Sequence, residues 1–296
     1  VFYTYVGGMW AVSVTDFVQT LVILGGLIYL VVLLVIQVGG IAPMVAQTPP
    51  GFFRFLPEPT YHGVVHYMAA WITIGLGSIP QQDVFQRVMA AKSATTSVRA
   101  AYLGSLMYLV IGALPLVAGL CAKILYPELL QKDPQMLLPQ VVLLHGNLFL
   151  QIMFFGALLS AILSTTSGAI LAPATVLGEN IIRPYFPNLT DRQLLLVMRL
   201  SVVLVAVCSA SLAAMERNIY DLVAQSSALS LVSLFVPLVA GMYWKRASNL
   251  GALASMTVGM GVWIYCEFYP LETPSIIVGL LASIGGMVVG SLLSRQ

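Results

Sequence analysis

Eight apolar runs, separated by polar or Pro- and Gly-rich breaks, constrain this chain more than any other feature. They cover approximately Trp10 to Val38, Val64 to Ile79, Ala100 to Leu125, Leu148 to Leu177, Leu194 to Ala214, Leu222 to Trp244, Gly251 to Phe268 and Ser275 to Leu293. Crossing a ~30 Å hydrocarbon layer takes about 20 apolar residues in a helix, and the runs are of that order. The second is short and Gly-rich. Backbone amides in lipid must be satisfied within their own segment, so the runs predict helices; their length and lack of alternation exclude a β-barrel. The expected fold class is therefore an all-α polytopic membrane protein, a bundle of about eight transmembrane helices forming one transmembrane domain over residues 1–296. Composition agrees, because 59% of the chain is hydrophobic and 8% is charged, against about 25% charged in a soluble domain.

Orientation follows from Lys and Arg, which favour the cytoplasmic side. With the N-terminus inside, nine basic residues (Arg87, Lys92, Arg99, Arg183, Arg192, Arg199, Lys245, Arg246, Arg295) fall inside and four (Arg54, Lys123, Lys132, Arg217) outside. The localisation expected is multi-pass in the plasma (inner) membrane. A net charge of +2 carries no nucleic-acid footprint. Cys121, Cys208 and Cys266 show no CxxC spacing and read as packing residues. His62 and His66 stand four apart, but with no carboxylate or Cys at matching spacing they read as interfacial rather than metal-binding. His145 is a lone loop histidine. GxSxG, HExxH and P-loop patterns do not occur, so an intramembrane hydrolase or ATPase has no support and the chain is not expected to be an enzyme.

The connections carry information of their own. Residues 39–63, "GGIAPMVAQTPPGFFRFLPEPTYHG", are too polar and Pro-rich to span, and their aromatic residues suit the outer interface. Residues 127–139, "PELLQKDPQMLLP", read as the second long outer connection. The inner "QQDVFQRVMAAKSATTSVRA" is basic and amphipathic, fit to lie along headgroups.

Four stretches, "GGMWAVSVTDFVQ" (7–19), "GSIPQQDVFQRVMAAKSA" (77–94), "SAILSTTSGAIL" (160–171) and "WKRASNLGALAS" (244–255), resemble in order and separation the sodium/solute symporter family. That family holds the sodium-coupled proline, sugar, iodide and choline carriers. "IPxQxxFQRV" and "VMRxxVxxxxxxxA" (197–210) read like the choline-transporter branch. The resemblance implies a LeuT-type core of two inverted five-helix repeats, with solute and Na+ held at the midplane where broken helices expose backbone dipoles. Against that plan the chain resembles the part from the fifth core helix through the second repeat and two further helices. It is thus expected to be a fragment whose partner is the missing N-terminal half of the same transporter.

Three intramembrane features then bear on function. Asp16, in the first turns of the first run, either sits at the inner interface stabilising a helix N-terminus or faces the bundle interior as a Na+ or proton ligand, the role implied for the family's Asp in the same "TD" motif. Asp221, near an outer helix start, reads as interfacial. Pro80 removes a backbone donor and "GLGSIP" gives room to unwind, so the second helix is either plainly kinked or, as the resemblance implies, broken beside the solute. Solute contacts would come from Gly77, Ser78 and Gln81, and Gln81, Gln82, Asp83 and Gln86 make the following segment polar. Choline carriers resemble this motif but place a tryptophan after the proline, where a quaternary ammonium gains cation–π attraction; Gln81 cannot supply that.

The third feature is Ser164-Thr165-Thr166-Ser167. Hydroxyls in membrane helices commonly bond back to the preceding turn or ease close packing. Four in succession, however, fan around most of a helix turning 100° per residue and cannot all serve one seam. Ala161 stands three residues before Ser164 and four before Thr165, so its carbonyl lies beside both. Carried over residue by residue, the resemblance implies Na+ bound by the Ala161 carbonyl, Ser164 and Thr165, with Asp16 and Ser167 as a second cation site. The expected function is part of a sodium-coupled importer of a small polar organic solute working by alternating access. Proton coupling through Asp16 and a non-transporting, symporter-like sensor domain are the alternatives. A mere membrane scaffold would need none of Pro80, Asp16 or the hydroxyls.

Overall fold

A computed structural model describes residues 2–131, 133–215, 218–269 and 271–294, with side chains from Trp10 onward apart from Met215. Lys132, Arg217 and Arg295, weighed above for orientation, lie outside the described residues. The regular structure of the described residues is all helical, with the α-helices α1 Phe2–Val38, α2 Ile41–Ala46, α3 Tyr61–Gly77, α4 Gln82–Met89, α5 Ala94–Leu125, α6 Pro127–Leu130, α7 Leu137–His145, α8 Leu148–Thr175, α9 Arg183–Tyr185, α10 Asp191–Met215, α11 Ile219–Ser230, α12 Val236–Tyr243, α13 Asn249–Phe268 and α14 Ser275–Leu293. Among the described residues, 7 helical stretches are long and apolar enough to cross a membrane, where the apolar runs predicted eight. The difference is α3, which ends after 17 residues because the chain breaks before Pro80. The protein is an integral, multi-pass membrane protein.

Local chemistry explains the ends of these helices. Ser93, Asn147 and Ser248 cap α5, α8 and α13, accepting from the amides of Thr96 at 3.2 Å, Leu150 at 2.8 Å and Gly251 at 3.1 Å. Each satisfies an amide the helix leaves open. Ser93 starts α5 six residues before the predicted run, inside the inner loop, and most of the rest of that loop is α4. Two widened, π-type turns interrupt otherwise continuous rods, at Val176–Ile182 between α8 and α9 and at Leu231–Phe235 between α11 and α12. A helical proline clashes with the carbonyl four residues back. Pro184 and Pro237 aim at Asn180 and Ser233, each within a widened turn, and widening relieves the clash.

The chain divides into two compact units. The first holds Val1–Phe52 and Val88–Ser209. Its axis is the antiparallel pair α1 and α8: Tyr29 meets Phe149 edge-on with ring centroids 5.2 Å apart, and Gly26 lies so close to Met153 and Ala157 that a Cβ there would stand 2.7 Å from the Ala157 Cβ. Farther along, Val12 joins Ile170, Leu171 and Ala174 in a buried cluster with Val202 of α10. At the other end Leu30, Leu34, Leu150 and Phe154 are buried with Ala118 and Cys121 of α5 and Val141 and Val142 of α7.

The second unit holds Phe53–Arg87 and Ala210–Gln296. Ala69 of α3, Ala228, Leu231 and Val232 of the α11–α12 rod, and Ile276 of α14 form its core. α13 and α14 pack backbone to backbone: a Cβ on Gly290 would stand 2.8 Å from the Gly251 Cα, and one on Gly286 2.8 Å from the Ala254 carbonyl. Ser255 and Ser283, both 0% exposed, share a hydrogen bond of 2.8 Å in this seam.

Candidate cation site and the broken helix

Asp16 is not at a helix end. Because α1 starts at Phe2, it lies about four turns inside, too deep to cap anything. A carboxylate within a membrane helix costs at least ~2.5 kcal/mol, so its surroundings have to compensate. Asp16 is half-buried, and its Oδ1 accepts a 2.6 Å hydrogen bond from the Ser164 hydroxyl of α8. The antiparallel register of α1 and α8 makes this pair, since the helices are in contact on either side of it.

Several threonines in these membrane helices follow the default of bonding to their own preceding turn. Thr15 donates to the Ala11 carbonyl at 2.8 Å, Thr20 to that of Asp16 at 2.7 Å, Thr73 to that of Ala69 at 2.7 Å and Thr175 to that of Leu171 at 2.8 Å. Ser167 does the same, donating to Leu163 at 2.6 Å while almost wholly buried. Ser164 instead sends its proton across to a carboxylate, which leaves its oxygen lone pairs for another group. Thr165 and Thr166 are exposed, so the four hydroxyls point in different directions, as the 100° advance demands.

The predicted cation residues thus occupy one region of the first unit. Asp16, Ser164 and Ala161 offer a carboxylate, a hydroxyl and, in the turn before Ser164, a backbone carbonyl; all are hard oxygen donors of the kind a bare alkali cation takes. Thr165 and Ser167 flank Ser164 on either side of the helix. Sequence reasoning missed Gln19. It stands three residues after Asp16, and its Oε1 is buried without a hydrogen-bond partner. An orphaned buried carbonyl costs about 1–3 kcal/mol unless something binds it. The i, i+3 spacing from Asp16 was the available signal, since it places both on one face.

In the second unit the break at Pro80 is real. α3 ends at Gly77, residues 78–81 are non-helical, and α4 begins at Gln82. Gly77 is buried against the Ser227 carbonyl of α11, with no room for a Cβ; its smallness lets the end of α3 dock. Ser78 closes the last turn, its hydroxyl donating to Ile74 at 2.6 Å. The Gln81 amide donates to the Ser78 carbonyl at 3.4 Å, so a single turn bridges the gap and Gln81 remains half-buried. Asp221 is exposed in the first turn of α11 behind the Asn218 cap, which fits its interfacial reading.

Comparison with known proteins places these features in a family. The sodium:solute symporter family model matches residues 1–259, and the chain belongs to that family. The osmoregulated proline transporter OpuE of Bacillus subtilis is 30% identical over 100% of this chain and 62% of its own length. Sodium/proline symporter 2 of Staphylococcus saprophyticus is 31% identical over 97% of the chain and 58% of its length, and the human high affinity choline transporter 1 is 26% identical over 87% and 46%. The chain therefore spans about half to three fifths of these relatives. A solved Na+-coupled sialic acid symporter superposes with a TM-score of 0.82 at 18% identity, covering 99% of this chain and 64% of that one, which shows the shared LeuT-type fold.

Proposed function

We propose that this chain forms part of a sodium-coupled secondary transporter that moves a small polar organic solute by alternating access. The observation that carries the reading is the Ser164 to Asp16 hydrogen bond of 2.6 Å, which departs from the back-bonding of the neighbouring hydroxyls and gathers hard oxygens at one point. In this reading Na+ lies against the Ala161 carbonyl, Ser164 and Thr165, with Asp16 supplying negative charge and Ser167 and Gln19 lying nearby. Because Ser164 donates to Asp16, the two cation positions expected from the sequence would adjoin each other. Na+ binding would favour one conformation by its differential affinity for it.

For the solute, the half-buried Gln81 offers amide donors and an acceptor in place of an aromatic face. That fits a zwitterion or organic acid better than a quaternary ammonium, and the names of the proline transporters among the relatives support the same class. The test is uptake by the full-length transporter carrying single substitutions. Ser164→Ala should raise the Na+ concentration for half-maximal uptake about tenfold, the equivalent of ~1.4 kcal/mol, while Thr166→Ala leaves it unchanged. Equal effects of both, or uptake that follows a pH gradient and ignores Na+, would overturn the reading.

A further inference from the structure

An apolar groove of about 300 Å³ runs along the second unit between α12 and α14, with Phe235, Val239 and Trp244 on one wall and Leu280, Ile284 and Val288 on the other. Phe235 to Trp244 spans about 13 Å at 1.5 Å per residue, close to half of a ~30 Å hydrocarbon layer. Its lining side chains are all apolar or, in Trp244, aromatic, a surface suited to a hydrocarbon chain.

Its end has a second property. Trp244 lines the mouth, and the next two residues, Lys245 and Arg246, are exposed. Beyond them α13 begins behind the Ser248 cap, presenting the positive end of a 20-residue helix to the same place. Read along its length, the surface passes from hydrocarbon to indole to positive charge. That order matches a lipid's acyl chain, interfacial region and phosphate, and tryptophan favours the interfacial level. We propose that this groove binds an anionic phospholipid, its acyl chain between α12 and α14 and its phosphate against Lys245 and Arg246. Each basic residue near an anionic headgroup contributes attraction that a zwitterionic lipid does not match.

Purified full-length transporter, equilibrated with phosphatidylglycerol or phosphatidylcholine and examined by native mass spectrometry, tests the assignment. Wild type should retain phosphatidylglycerol in preference to phosphatidylcholine. The double substitution Lys245→Gln with Arg246→Gln should lower phosphatidylglycerol retention about tenfold or more, whereas Lys92→Gln, elsewhere on the basic face, should not. Val239→Trp, which fills the groove, should lower retention of both lipids. Photo-cross-linking from the groove wall of otherwise wild-type protein gives a readout that survives a poorly folding variant. Equal retention of both lipids with no response to the charge substitutions would overturn the proposal, as would cross-links to another segment of the transporter instead of lipid.

Discussion

The α1–α8 and α13–α14 pairs use the same means of approach and reach different ends. Each brings two membrane helices close through glycine, Gly26 in one and Gly251, Gly286 and Gly290 in the other, and each carries a serine whose hydroxyl crosses the seam. In α13–α14 that serine meets another serine, both fully buried. Two neutral hydroxyls satisfy each other and nothing more is needed. In α1–α8 the serine meets a carboxylate, both groups are half-buried, and the Gln19 oxygen nearby in sequence has no partner. A hydroxyl between membrane helices is therefore not informative alone. Its partner's charge, and whether the surrounding oxygens are satisfied, separate a packing contact from a candidate binding site.

The comparison can be broken at either pair. Gly290→Leu should be the most damaging change, since its side chain would enter the Gly251 backbone; overpacking of this kind costs about 3 kcal/mol. A fall in the detergent melting temperature with unchanged Na+ dependence of the surviving fraction is the expected result, and an unaltered melting curve would show the seam to be loose. Asp16→Asn comes next, because hydrogen bonds and contacts to a charged group contribute about 2 kcal/mol. The Na+ concentration for half-maximal uptake should rise about thirtyfold with little change in melting. Gln19→Leu sharpens the point: losing a ligand oxygen should weaken Na+ dependence about fivefold, or ~1 kcal/mol, while removal of a stranded polar atom leaves melting equal or higher. If melting rises and Na+ dependence stays fixed, Gln19 is only a poorly satisfied core residue. Smallest in function is Ser255→Ala, which strands Ser283 at about 1 kcal/mol of stability and should leave Na+ dependence untouched.

Much of this fold is legible locally. Apolar run length predicts the spans, and Pro80 after "GLGS" predicts the break between α3 and α4. What the sequence conceals is depth and register. The first apolar run starts at Trp10, so Asp16 seemed to lie in its first turns, yet α1 runs back to Phe2 and carries Asp16 inside. The partner of Asp16 is set by the alignment of two helices whose bonded residues are 148 positions apart. The resemblance set Ser167 beside Asp16, whereas the register of α1 and α8 gives Asp16 the Ser164 hydroxyl and leaves Ser167 donating to Leu163. Gly77 shows the same limit: its tight fit against Ser227 comes from an element about 150 residues later in the chain, beyond the reach of a local reading.

The widened turn at Leu231–Phe235 also sets the rotation of the α11–α12 rod. A turn of this kind holds about one residue of slack, which offsets everything beyond it by about 100° from where an unbroken α-helix would put it. The Val232 carbonyl protrudes toward Gly259 of α13, where no Cβ could fit, so the slack has a seat that only glycine can provide. Val239 and Trp244 both lie beyond it. The widened turn and Gly259 thus fit as notch and seat, a carbonyl of one lying where the other lacks a side chain.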